Sequence, residues 1–504
     1  SEMPPPDPVV MEGPWLTTCT AAAAMAAIVA LVRLARRMMP KFLRVPGGGT
    51  LGHVEVVTNV EVLTDLIDTW ATAHGTCEFR VAIQKFLILA DMEDVRTVNK
   101  LRPRQVQRAT AVRDAINDLA KGVFSAELPE WKMDRRLTSP AFSHANLTKN
   151  LSTLRVLAAR LCAAVSRAEG PVDVSPLAVA YTADVIGLVG FGQDLRTMES
   201  QEQEGLASSM HRLMAMTGQR ALAPIPYWTI PGIGPLLSRL EGYAPLKAGV
   251  EQEMRRILAN TKPESGHSIV DKMVAANHRD NQGGLPTERL VGNAITLYIA
   301  GTDTTATAIT WMLYFLASDA QLQADARAEA LLLESALAAD EASFTTVLDA
   351  APLLRSCFWE TLRLHGAAGF IFLENNAEAI EVSGKRIEPG EYTLVIPSRW
   401  LSTREECGGR EWDGRRWLTD GGKAVKPMPE KVMPFGSGAR ICPGRDLSEM
   451  EAVIAIAGLL CDFNLDYKDH ANTAGPLRGI FNFTMKPNRP IHVAFHPRRS
   501  ARAK

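Results

Sequence analysis

Cysteine is scarce in this 504-residue chain, with seven residues scattered at positions 19, 77, 162, 357, 407, 442 and 461. An odd, dispersed set is not a disulfide framework and fits a reducing compartment. No second cysteine or histidine lies at ligand spacing around Cys442, which argues against zinc there. Charge of one sign is also lacking: 55 Lys+Arg against 56 Asp+Glu leave a formal net charge of −1. Bulk electrostatics therefore give nucleic-acid binding no support. No repeat or low-complexity linker interrupts the body, and no flavin or iron–sulfur module is visible. What remains is ordinary globular composition, 46% hydrophobic and 22% charged, with material for one large core.

Residues 15–32 (WLTTCTAAAAMAAIVALV) form an uncharged run at the low end of membrane-span length. Arg33, Arg36, Arg37, Lys41 and Arg44 follow it, and only Glu2, Asp7 and Glu12 precede it. That asymmetry predicts a signal-anchor with the body on the cytoplasmic side of the endoplasmic reticulum, another organelle membrane being the alternative. A transit peptide would be poor in acids and carry arginines within itself. The resulting division is an N-terminal segment 1–44, a proline- and glycine-containing hinge 45–53 and a body 54–504.

In the body, residues 60–73 and 92–100 have helical periodicity, and 78–83 and 85–89 read as strands. Residues 104–122 are mixed and stay unassigned. Residues 151–260 read as mostly helix, interrupted by Pro224, Pro226, Pro231 and Pro235. A long apolar helix is predicted over 290–316, and strands over 382–387, 392–396 and 491–495.

Cys442 lies in Phe435-Gly436-Ser437-Gly438-Ala439-Arg440-Ile441-Cys442-Pro443-Gly444. The glycines let backbone approach a flat macrocycle without Cβ clashes. Pro443 suits a first helical position, and 445–454 reads as helix. The free N–H groups and positive end of that helix lower a thiol pKa. A lone thiolate so placed suits the axial position of a haem iron. The plain alternative is a buried free cysteine beside a turn. The pattern Phe-x-x-Gly-x-Arg-x-Cys-x-Gly, met at Phe435, Gly438, Arg440, Cys442 and Gly444, resembles the haem-binding loop of the cytochrome P-450 family.

The segment Ala300-Gly301-Thr302-Asp303-Thr304-Thr305 resembles the family's dioxygen-handling helix. A threonine hydroxyl there can bond back to the carbonyl four residues earlier, Ala300 for Thr304. The resemblance implies that Gly301 gives dioxygen room and that Asp303 and Thr304 handle protons. A glycine used for close helix packing is the alternative.

Further resemblances follow in family order. Trp131 and Arg135, four apart on one helix face, resemble a propionate-binding pair, to which Arg440 is added. Phe435, Gly436 and Ala300 are implied cofactor contacts. Glu360 and Arg363 resemble a buried structural pair, with Arg416 as the third member; Gly414 stands where the family's proline is usual. Ala367, Phe370, Ile480 and Phe481 are implied to line an apolar substrate pocket. One position departs: Glu374 occupies the place of a propionate-binding arginine. Either the register shifts, or the haem relies on Trp131, Arg135 and Arg440.

Over about residues 50–497 the resemblance implies a mainly α fold with small β-sheets in a single large domain. A haem b would lie between the dioxygen helix and the helix after the cysteine loop. The implied activity is a monooxygenase inserting one atom of dioxygen into a small apolar substrate. Its electrons would come from a separate NAD(P)H-dependent reductase or a ferredoxin, docking near Lys132, Arg136 and Arg445. The other readings are a reductase-independent isomerase or dehydratase of the same fold, a non-catalytic haem sensor, and a haem-free helical binding protein. Relatives that rearrange hydroperoxides tend to lack the central threonine, which is present here as Thr304.

Overall fold

The computed structural model describes residues 41–47, 52–199, 205–223, 226–264, 266–280, 283–428, 431–467, 476–482 and 484–498. The run 15–32 and residues 48–51 of the 45–53 hinge lie outside them. Among the described residues, no helix is long and apolar enough to cross a membrane.

Helices dominate, and one of them organises the rest. Thr287–Ser318 runs 32 residues with Trp311, Met312, Leu313 and Leu316 deep in the main core. It begins after Pro286, whose missing N–H costs nothing at a helix start. The second organiser is Arg445–Asp462, where Ala452 to Ala457, Leu459 and Leu460 are all buried. A helix apolar on every side must be enclosed by others. Both helices share one core with Pro352–His365.

The β-structure is small and lateral. The main sheet runs, in spatial order, Leu43–Arg44, Cys77–Val81, Gln84–Ile88, Thr393–Ile396, Ile371–Asn375 and Val106–Arg108. The fold is thus mainly α with small sheets, as expected. The unassigned stretch contains the edge strand Val106–Arg108 and the helix Thr110–Leu119. The expected strand over 382–387 is a hairpin, Ile380–Val382 against Lys385–Ile387. Ser383 and Gly384 turn it with φ of 47° and 70°, and a two-residue loop with both φ positive reverses a chain tightly. A second hairpin pairs Gly479–Asn482 with Thr484–Pro487 and reaches the central helix.

Candidate functional site

The cysteine loop is built by glycine. Gly436 and Gly438 have φ of 69° and 66°, conformations that side-chain-bearing residues rarely adopt. The Cys442 N–H donates to the Phe435 carbonyl at 3.0 Å, closing the loop. Phe435 packs edge-on against Trp359, 5.4 Å between centroids. The following helix starts at Arg445 with Gly444 as its cap, so Pro443 precedes the cap instead of opening the helix. Cys442 is an exposed side chain, yet desolvation by the surrounding protein pushes its thiol up; the N–H groups of Gly444 and Arg445 and the charges of Arg135 and Arg445 pull it down. Those same groups would stabilise a thiolate bound to a metal.

Arg135, expected at a propionate, donates from Nη2 to the Ile441 carbonyl at 2.8 Å, beside the cysteine. Trp131 lies under Arg440, whose Cζ is 4.4 Å from its ring. Arg440 also pairs with Glu127 and donates to the Ala126 carbonyl at 2.7 Å. Sequence reasoning missed Glu127 and two neighbours, Arg102 and Arg108; their density of arginine between 102 and 113 was the signal available.

On the central helix, Thr304 Oγ1 donates to the Ala300 carbonyl at 2.7 Å. Ala300 is exposed and Thr304 half-buried, one turn apart on one face. Gly301 lies elsewhere. A Cβ placed on it would meet Ile186 Cδ1 at 2.3 Å, so the glycine admits the π-helical turn Ile186–Gly190. This close approach fits the alternative of a glycine used for helix packing. Asp303 is buried and tethers the C-terminal hairpin, accepting from Thr484 Oγ1 at 2.5 Å and pairing with Lys486 Nζ at 2.9 Å. Thr305, the next residue, hydrogen-bonds Ser448 at 3.1 Å and links the two organising helices.

Glu360 accepts from Arg363 Nη2 at 2.8 Å and from Arg416 Nε at 2.9 Å, and both members of the first pair are fully buried. Arg363 donates onward to the carbonyls of Ser402, Gly409 and Glu411. Trp417 Nε1 donates to Glu360 at 3.1 Å. A Cβ on Gly414 would meet Trp412, Cys357 and Leu322 within 2.9 Å, so glycine replaces proline where three side chains converge.

Phe370 and Phe481 meet edge-on at 5.5 Å, and the Met485 N–H donates to the Ala367 carbonyl at 3.0 Å. Ala367, Phe370, Ile480 and Phe481 thus cluster where the main sheet meets the second hairpin. None of them lines the cavity of about 570 Å³ that opens over Asp303, Ala306 and Thr307, walled by His211 and Lys486. Of the expected docking cations, Arg136 is paired with Asp280 at 2.9 Å and Arg445 with Asp446 at 3.0 Å, while Lys132 is exposed.

A cysteine held in a glycine-shaped loop at the start of a buried helix is matched by a family model described as cytochrome P-450, over residues 71–493. The chain belongs to the cytochrome P-450 family. It is a haem-thiolate monooxygenase, an oxidoreductase that uses a haem iron, dioxygen, an organic substrate and a redox partner. Human "25-hydroxyvitamin D-1 alpha hydroxylase, mitochondrial" is 26% identical over 75% of this P-450 and 75% of its own length. Rabbit (Oryctolagus cuniculus) "Sterol 26-hydroxylase, mitochondrial" is 23% identical over 75% and 73% of the two chains. Arabidopsis thaliana "Protein LUTEIN DEFICIENT 5, chloroplastic" is 23% identical over 82% and 71%. These relatives correct the placement on the endoplasmic reticulum, because the names of all three give mitochondria or chloroplasts. A charge asymmetry around residues 15–32 orients a segment in a bilayer without saying which bilayer, which is why it misled.

The residues present fit a haem. Cys442 offers a thiol flanked by N–H donors, and the buried Nε of Arg440 has no hydrogen-bond partner among the described residues.

Proposed function

We propose that this P-450 inserts one atom of dioxygen into a large apolar substrate of the sterol kind, using haem b on Cys442. Electrons would come from a separate NAD(P)H-dependent reductase or a ferredoxin. The loop around Cys442 carries the reading: its thiol is flanked by two backbone N–H groups and by the charges of Arg135 and Arg445.

The haem would supply reductive activation of dioxygen. Cys442 Sγ would hold the iron as a thiolate, and Arg135 would fix the loop through Ile441. Trp131 and Arg440 would orient the propionate edge, with Phe435, Gly436 and Ala300 against the macrocycle. Thr304 Oγ1 would hold a proton for reduced oxygen, and Asp303 would resupply it on release from Thr484. Glu360, Arg363 and Arg416 would hold the core without taking part in chemistry. Ala367, Phe370, Ile480 and Phe481 would exclude water around an apolar substrate. Relatives named for hydroxylating sterols and 25-hydroxyvitamin D support that substrate class.

The test is the spectrum of the reduced, carbon-monoxide-bound protein. Thiolate ligation shifts the main band strongly to the red, and Cys442→Ala should abolish that shift while the chain stays folded. A colourless wild type after haem reconstitution, or an unchanged band in the variant, would sink the reading. Titration with sterols should then give saturable spectral shifts that fatty acids reproduce more weakly.

A further inference from the structure

A chain of aromatic rings leads from the central helix to the surface. Trp311 is buried, and its indole meets the Tyr314 ring edge-on at 5.9 Å between centroids. Tyr314 in turn meets Tyr467 edge-on at 4.9 Å. Tyr314 and Tyr467 are half-buried, and Tyr467 ends the strand Phe463–Tyr467. The rings thus pass from the core to a phenol that solvent reaches.

The inner end of the chain points back to the site. Trp311 follows Thr304 by seven residues on the helix Thr287–Ser318. Positions i and i+7 share one stripe of a helix, about 10 Å apart along its axis. The indole therefore continues the stripe of Ala300 and Thr304, two turns on.

Three features suit these rings to carrying electrons as well as filling space. First, tryptophan and tyrosine rings give up an electron far more readily than phenylalanine. The other branch from Trp311, through Phe315 at 6.3 Å to Trp412 at 4.5 Å, is therefore closed at Phe315. Second, Trp311 Nε1 is buried with no hydrogen-bond partner among the described residues. A buried donor left unpaired needs a reason, and a redox role is one. An indole that has lost an electron there has no acceptor for its N–H proton. It stays a cation and draws an electron from the next ring. Third, His365 stacks on the indole at 3.6 Å, and burial, with the charge of Arg363, pushes it down to about 3. A neutral imidazole does not oppose loss of an electron from the ring, as a cation over its face would. At the outer end, the Tyr467 phenol can release its proton to water as it gives up an electron.

We propose that Trp311, Tyr314 and Tyr467 form an electron relay that carries oxidising equivalents left unused at the haem site to the surface, where a thiol quenches them. This protective activity stands beside oxygen insertion and rests on the haem reading above. With hydrogen peroxide as oxidant, one peroxide and two tyrosines give two waters and two phenoxyl radicals. Each phenoxyl then takes a hydrogen atom from a thiol, and two thiols end as one disulfide.

The experiment treats haem-loaded protein with hydrogen peroxide in the absence of an organic substrate. A nitroso spin trap marks the radical, and peptide mass spectrometry locates the adduct. The wild type should be trapped at Tyr467, and glutathione should suppress the adduct. Trp311→Phe keeps an aromatic ring and breaks the relay, so trapping at Tyr467 should fall to the level of the haem-free chain. Tyr314→Phe should do the same, and it decides the matter if circular dichroism shows Trp311→Phe unfolded. Bleaching of the haem by peroxide should be several-fold faster in both variants. Tyr227→Phe, at a ring that meets Trp228 and lies outside the chain, should change neither readout. Absence of the adduct in the wild type, or equal trapping at Tyr467 in wild type and variants, would overturn the proposal, because a ring oxidised directly from solvent needs no relay. Failure of the wild type to take up haem would remove the cofactor reading, and the relay with it.

Discussion

Arg440 lies over the indole of Trp131, its guanidinium 4.4 Å from the ring, and so ties the helix Glu130–Thr138 to the cysteine loop. The same arginine reaches Glu127 and the Ala126 carbonyl, which makes it the hinge-pin between three segments. A desolvated cation over an indole is worth about 2 kcal/mol. Trp131→Leu keeps apolar volume and removes the π face. Haem dissociation should rise by about tenfold, with thermal unfolding of the haem-free chain shifted far less.

The Glu360–Arg363 pair is fully buried, so breaking it leaves an uncompensated charge in the core. Arg363→Met should cost about 3–5 kcal/mol and lower the yield of folded, haem-containing protein. Arg416→Met removes a member that is about one-quarter exposed, and should cost less. The order of the two melting temperatures checks this ranking.

Thr304→Ala deletes a hydroxyl whose hydrogen-bond partner in the structure is the Ala300 carbonyl of its own helix. Helix stability should barely change, because alanine is the better helix former. Product formation should fall while reductant consumption continues, with the difference recovered as hydrogen peroxide. Full coupling in the variant would show that Thr304 moves no proton.

Glu451 is buried in the helix Arg445–Asp462, and burial pushes its carboxyl from the ordinary 4.5 up to about 8. The folded chain therefore keeps a proton that the unfolded chain releases above about pH 4.5. Stability from the neutral carboxyl is complete below that pH and is lost as pH rises through about 8. Glu451→Gln should flatten this dependence, so that the variant melts several degrees above wild type at pH 8 but not at pH 4.5. Parallel melting curves across pH would refute the burial argument.

Local patterns carried much of the fold. The apolar periodicity of 290–316 marked the central helix to within three residues, and 92–100 matched Met92–Lys100, where Asp91 caps the start and Lys100 lies in the last turn. The single strand read over 382–387 splits at Ser383-Gly384, because apolar spacing ran on through a turn of only two residues. The Arg102, Arg108 and Glu127 cluster was illegible for another reason: its members come from separate segments, and Arg440 joins them from more than 300 residues away.

By itself the sequence determined the family, the cysteine that can bind iron, and the helices that frame it. Those signals are short-range: a glycine-shaped loop, a periodicity, a pair one helical turn apart. Only the tertiary structure brought Ile186 against Gly301, tied Asp303 to a distant hairpin, and set Arg108 on the strand paired with that of Glu374. Burial and charge balance depend on what the folded chain brings from elsewhere, and no local pattern encodes that.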